Sequence, residues 1–158
     1  MVQRKKDTQG PVTLQMLKNH LHLFTNDFDA SLETDLMAAV AKGENYIGSA
    51  IWHGVQTFSV PFVSSLQIPD PTAVVSEVKI DGNAVNFTFT DGVLKVDGRG
   101  KVLTYTLTTG YTQEDCPADI KMAILLMAAK MFTTPVDSVV NLPNESQALL
   151  HPYRLYCL

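Results

Sequence analysis

The sequence predicts an α+β fold: a small helical bundle, two N-terminal helices plus one long C-terminal helix, with an antiparallel β-meander inserted between them. Three observations carry this expectation. Apolar residues recur at helical spacing over 14–22 and 30–47. The period changes to two between about 51 and 110, where Asp-Gly pairs punctuate the alternating runs. Residues 117–132 then form an almost wholly apolar helical segment. Period 3.6 marks an amphipathic helix and period two a half-buried strand.

Residues 1–12 are polar and end in Gly10-Pro11, so a flexible tail is expected there, with Arg4, Lys5 and Lys6 in solvent. Thr13 is placed to cap a short helix that carries Leu14, Leu17 and Leu21 on one face. The capping-rich turn Thr25-Asn-Asp-Phe-Asp leads into a long helix. Its buried stripe is expected to be Leu32, Leu36, Ala39, Val40, Gly43 and Ile47, with Gly48 as its C-terminal cap.

The β region opens with Val55, Phe58 and Val60 and is interrupted by Pro61 and by Pro69-Asp-Pro71. Alternating runs over 74–80, 85–89, 93–96 and 102–109 are separated by Asp81-Gly82, Asp91-Gly92 and Asp97-Gly98-Arg99-Gly100. Asp-Gly between alternating apolar runs is a strong hairpin signal, because both turn positions must tolerate positive φ. The whole of 13–158 reads as a single domain carrying this insertion.

The closing helix begins with Asp115 or Cys116 at its cap and Pro117 at its first position, where a missing N–H is harmless. Its only charges are Asp119, Lys121 and Lys130. A surface helix ordinarily has one apolar stripe and one wet face. This one must be covered nearly all round, by its own chain or by a neighbouring subunit. Thr133-Thr134-Pro135 stops it, residues 136–144 read as a loop, and Glu145–Leu150 as a short helical turn. The chain stays apolar and aromatic to its last residue, which suggests a terminus that docks on something.

The totals exclude several classes. With 158 residues, 46% apolar and 18% charged, the chain has the composition of one globular domain. A net charge of −4 argues against a dedicated nucleic-acid binder. The longest apolar run is far below the ~20 residues that span a bilayer. The N-terminus lacks the apolar core of a signal peptide. Two distant cysteines, Cys116 and Cys157, form no disulfide framework, and a reducing cytoplasm is the expected compartment.

Chemistry is sparse. His20 and His22 are two apart and cannot chelate as an i, i+4 pair, and His53 and His151 stand alone, so no metal or cofactor is expected. Gly98-Arg-Gly-Lys101 lacks the spacing and the hydroxyl of a phosphate loop. Asp81, Asp91 and Asp97 are each followed by glycine, which turn chemistry explains without calcium. Two alternatives remain: a small binding module presenting Phe87, Phe89 and Tyr105 to a ligand, and a hydrolase using Cys116 with a thiol activated at a helix start.

In their order and spacing these pieces resemble the head–tail connector (adaptor) proteins of tailed bacteriophages. The resemblance covers about 12–154. It is carried by Val12-Thr-Leu-Gln-Met-Leu-Lys-Asn-His-Leu21, by Asp29–Gly48 with its ending Gly43-Glu-Asn-Tyr-Ile-Gly, by Gly110-Tyr111 followed by Cys116-Pro-Ala-Asp-Ile-Lys-Met-Ala-Ile-Leu-Leu-Met127, and by Leu149-Leu-His-Pro-Tyr-Arg154. It implies a non-enzymatic virion protein, assembled in the bacterial host cytoplasm, that forms a homo-oligomeric ring. It also implies docking on the phage portal protein, contact with tail-completion or neighbouring connector proteins, and DNA passing through the lumen without specific binding. No membrane is involved. The residues expected at such interfaces are Ile120, Lys121, Ile124, Leu125, Met127, Lys130 and Met131 on the long helix, and Leu150, Tyr153 and Arg154 at the tail. Ring association is head-to-tail, so its two faces must differ. Lys121 or Lys130 of one copy is a candidate to meet Glu33 or Asp35 of the next.

Overall fold

A computed structural model describes residues 5–7, 9–134 and 143–156. Arg4, most of the loop expected over 136–144, Cys157 and Leu158 lie outside the described residues. The fold is α+β, and the chain divides into a helical unit, built from the residues after Asp7 up to Ile51 and those from Tyr111 on, and a β unit holding Lys5–Asp7 together with Trp52–Gly110.

In the helical unit, α1 (Leu14–Leu21) starts at Thr13, whose Oγ1 accepts from the Met16 N–H at 3.3 Å. It ends at His22, which adopts a left-handed cap with φ 55°. Leu17 is fully buried, and so nearly is Lys18, whose Nζ donates to Asn26 Oδ1 at 2.6 Å and to Asp29 Oδ1 at 2.8 Å. That pairing fixes the start of α2 (Asp29–Ile47) beside α1. The buried stripe of α2 is Leu32, Leu36, Ala39, Val40, Gly43 and Ile47, the set expected from its spacing. Gly48 closes the helix at φ 76°.

The long helix α3 (Ala118–Thr133) begins one residue later than expected, with Pro117 as its cap and no side-chain capping bond. It packs against α1, α2 and α4 (Asn144–Leu150). At Gly43 the approach of α2 and α3 is tight: a Cβ there would lie 3.0 Å from Ile51 Cδ1 and 3.6 Å from Met127 Cε. The buried Ser146 hydroxyl donates to the Ala123 carbonyl at 3.2 Å and pins α4 to α3. A single 3₁₀ turn, His151–Tyr153, follows α4. No helix among the described residues is long and apolar enough to cross a membrane.

The β unit is antiparallel in every pairing, but it is two sheets rather than one consecutive meander. The five-stranded sheet runs β1 (Lys5–Lys6), β2 (Gly54–Pro61), β8 (Val102–Thr109), β4 (Val74–Ile80), β5 (Asn83–Ala84); the three-stranded sheet runs β3 (Ser65–Gln67), β7 (Val93–Val96), β6 (Phe87–Thr90). Asp81-Gly82 and Asp91-Gly92 do join hairpins, with φ of 47° and 88°, and 51° and 73°. Asp97–Gly100 instead carries the chain from one sheet to the other, so that β8 lies between β2 and β4. Ile68, Val78, Ile80, Leu94, Val96, Leu103, Tyr105 and Leu107, drawn from both sheets and the segment after β3, form one core.

The N-terminus also departs from expectation. Lys5 and Lys6 are not loose but pair with Val55 and Gly54 on the edge of β2. Asp7 Oδ2 lies 2.6 Å from His53 Nδ1, and the Trp52 indole donates to the Asp7 carbonyl at 3.0 Å. Backbone pairing on a sheet edge needs no apolar side chain, which is why two lysines hid this strand.

The chain leaves and returns to the bundle at neighbouring points. Tyr111 N–H donates to the Ile51 carbonyl at 2.9 Å. One residue earlier, Gly110 has φ 88°, and a Cβ there would lie 2.3 Å from the Trp52 carbonyl oxygen, so only glycine fits.

Candidate assembly surface

The exposed and half-exposed residues of α3 fall into a pattern. Ile120, Ala123, Ile124, Leu125, Met127 and Ala128 are buried, against α1, α2 and α4 of the same chain. Asp119, Met122, Leu126, Ala129, Lys130 and Thr133 recur at intervals that return to one face at ~100° per residue. Met122 is 44% exposed, Leu126 and Ala129 are half-buried, and Asp119, Lys130 and Thr133 are exposed. The helix therefore keeps a narrow apolar strip in water, with a carboxylate near one end and an ammonium near the other.

This corrects part of the residue set expected at an interface. Ile120, Ile124, Leu125 and Met127, together with Leu150, are interior residues of their own chain and await no neighbour. Lys121 and Met131 are half-buried, and Lys130 is exposed. The side chains that do reach solvent, Met122, Leu126 and Ala129, were not singled out by sequence. A usable signal existed: Asp119 and Lys130, eleven residues apart, share a face, and the residues between them on that face are the ones left uncovered.

The tail docks at home. Leu155 N–H donates to the Ile47 carbonyl at 2.7 Å, at the C-terminal end of α2. Arg154, expected at an interface, lies over two aromatic rings of its own chain, 5.2 Å from the Tyr46 centroid and 5.5 Å from that of Tyr156. His151 lies between the same two tyrosines, with Nδ1 3.4 Å from the Tyr46 hydroxyl and Nε2 3.2 Å from that of Tyr156. Tyr153 is half-buried; burial raises its pKa, and the neighbouring Asp119 and Cys116 raise it further, which places its ring by the first turn of α3.

The second helix has a surface the sequence did not suggest. Its solvent-facing centre holds Ala30, Thr34, Met37, Ala38 and Ala41, all exposed, with Met37 at 61%. Glu33 and Glu44 border that sector on the Met37 side, and Glu44 is turned to accept from the Ile51 N–H at 2.9 Å. A lone surface helix would normally place charged residues there.

The two alternative sites are filled or inert. Tyr105 is buried and stacks on Phe58 with ring centroids 5.2 Å apart, while Phe87 and Phe89 pack on the same core, so these rings hold the sheets together rather than face a ligand. A shallow cleft of ≈ 240 Å³ lies at the edge of the unit, between the Pro69–Ala73 loop and the Asp91-Gly92 turn. Cys116 is buried, and its thiol donates to the Pro117 carbonyl at 3.8 Å. Burial pushes its pKa up to about 11, partly opposed by Lys121, so the helix-start activation expected for a nucleophile does not occur. Asp81, weighed for calcium, spends its carboxylate on the Lys101 and Val102 N–H groups at 2.9–3.2 Å.

A helical bundle with a two-sheet β insertion, and with weakly polar helix faces left in water, defines the class of fold. No protein-family model and no curated protein matches the chain. Among solved structures it is similar to a chain in the neck of an empty gene transfer agent (GTA) particle computed with C6 symmetry, with a TM-score of 0.81 and 18% identity over 100% of this chain and 97% of that one. A chain in the neck of a native GTA particle computed with C12 symmetry gives 0.76 and 18% over 99% and 97%. A chain of the native GTA virion gives 0.73 and 18% over 100% and 97%. The fold of this protein is thus the fold of a neck component of these phage-like particles.

Proposed function

We propose that this protein is a structural subunit of the neck of a tailed-phage-like particle, a head–tail connector that closes into a ring, docks on the portal and extends the channel for DNA. The observation that carries the reading is the end-to-end likeness to neck chains, which leaves almost no part of either chain unmatched. The sixfold and twelvefold symmetries of those necks support closure into a ring here. The surface supports it too, since α2 and α3 each leave a face that solvent alone does not explain. A body of net charge −4 offers passing phosphates little attraction, which suits a conduit. The role is architectural, and Cys116, with its thiol protonated at neutral pH, contributes packing.

The test is reconstitution. The purified chain is mixed with a portal protein from the same genome, and the mixture is fractionated and imaged. Rings bound to the portal, with an open central channel, are the expected result. A chain that never co-elutes with the portal and remains monomeric at every concentration refutes the reading.

A further inference from the structure

We infer that the subunit interface of the ring is formed by the α3 strip of one copy seated on the exposed face of α2 of the next, with Met37 packed against Leu126. The inference rests on the neck-ring reading and assigns it a specific pair of surfaces. Head-to-tail closure requires two different patches on each copy, and the helical unit offers two. On α3, Met122 is exposed and Leu126 half-buried, although both are apolar and the opposite side of the helix is enclosed. On α2, Met37 is 61% exposed beside Ala30, Thr34 and Ala41, with Glu33 at the border of that face. Methionine adapts its shape to an opposing surface, which suits both positions.

Charge is complementary across this pairing. Lys130 is exposed at the edge of the α3 strip, and Glu33 is exposed at the edge of the α2 face. Neither has an ion-pair partner among the described residues. Contacts of α3 on α3 or α2 on α2 are twofold and close a dimer rather than a ring, whereas α3 on α2 continues around the ring and can set the Lys130 ammonium against the Glu33 carboxylate. An exposed pair of this kind adds little affinity but penalises the wrong partner.

The experiment uses full-length chains carrying Cys157→Ser, with Cys116 left in place because its thiol is buried. Met37→Cys and Leu126→Cys are made separately and in one chain, their folding is checked by circular dichroism, and each is oxidised alone and with the portal protein. A disulfide in the mixture of the two single variants, little in either alone, and a ladder of multimers from the double variant are expected. Lys130→Glu should lower the cross-linking equilibrium about fivefold, and adding Glu33→Lys should restore it. Rings that form without this cross-link overturn the assigned surfaces while leaving the ring reading intact. Equal cross-linking by a single variant shows a twofold interface and overturns them as well. Neither rings nor cross-links, with or without portal, overturns both.

Discussion

Met122 and Met127 lie five residues apart on one helix, and the structure gives them opposite duties. Met127 is 1% exposed and its Cε lies beside Gly43, whereas Met122 is 44% exposed. Replacing Met127 with alanine removes a buried side chain and leaves a cavity where α2 and α3 approach most closely. Such substitutions cost about 2–5 kcal/mol, and the tight contact at Gly43 favours the upper half, because the helices have little room to collapse further. Fully burying a methionine contributes about 1.5–3 kcal/mol. With 44% of Met122 already in water, truncation there should cost only about 1 kcal/mol, part of it regained through the higher helix propensity of alanine. Urea unfolding followed by the helical circular dichroism signal measures both. The expected order is a large fall in midpoint for Met127→Ala and a small one for Met122→Ala, with the latter instead weakening ring assembly. Equal losses, or a larger loss for Met122→Ala, would show that the two faces of α3 have been assigned the wrong way round.

Three further outcomes follow from the same geometry. Cys116 should resist thiol reagents in the native state near neutral pH and react once the chain is unfolded. Because its folded pKa, about 11, lies above the ordinary 9.0, its contribution to stability is complete below pH 9 and is lost as the pH rises towards 11, which alkaline unfolding curves will show. Arg154→Ala removes a cation held over Tyr46 and Tyr156 and should cost only about 0.5–1 kcal/mol, leaving the fold intact but making the segment after Tyr153 easier to cleave in limited proteolysis. Thr13→Ala deletes the hydroxyl that accepts from Met16 N–H and should lower stability by about 1 kcal/mol in the same urea assay, whereas Thr13→Ser should be nearly neutral.

The parts of the fold that were legible are those whose signals are local. The buried stripe of α2 could be read residue by residue because charged neighbours outlined it. The turns at Asp81-Gly82 and Asp91-Gly92 could be read because two successive residues at positive φ demand that pair. What escaped notice depended on distant partners. Nothing near β2 says that it will pair with β8, some fifty residues on, and the third Asp-Gly pair looks the same whether it closes a hairpin or crosses between sheets. The apolar helix α3 was recognised as such, but a helix without a polar side carries no mark of which side its own chain will cover. Hence Ile120, Ile124 and Met127 looked like interface residues, and Met122 and Leu126 passed unremarked. The tail was expected to dock, and as far as Tyr156 it meets the end of α2, through aromatic rings that were scattered in sequence and meet only in space.

The narrow stem at Ile51–Trp52 and Gly110–Tyr111 makes the β unit a graft on the bundle. The excursion from Trp52 to Gly110 leaves and rejoins the helical unit at two adjacent points, so segments of other lengths can be spliced there without rethreading a single helix. Such a join lets the inserted sheets diversify while the helical scaffold stays constant.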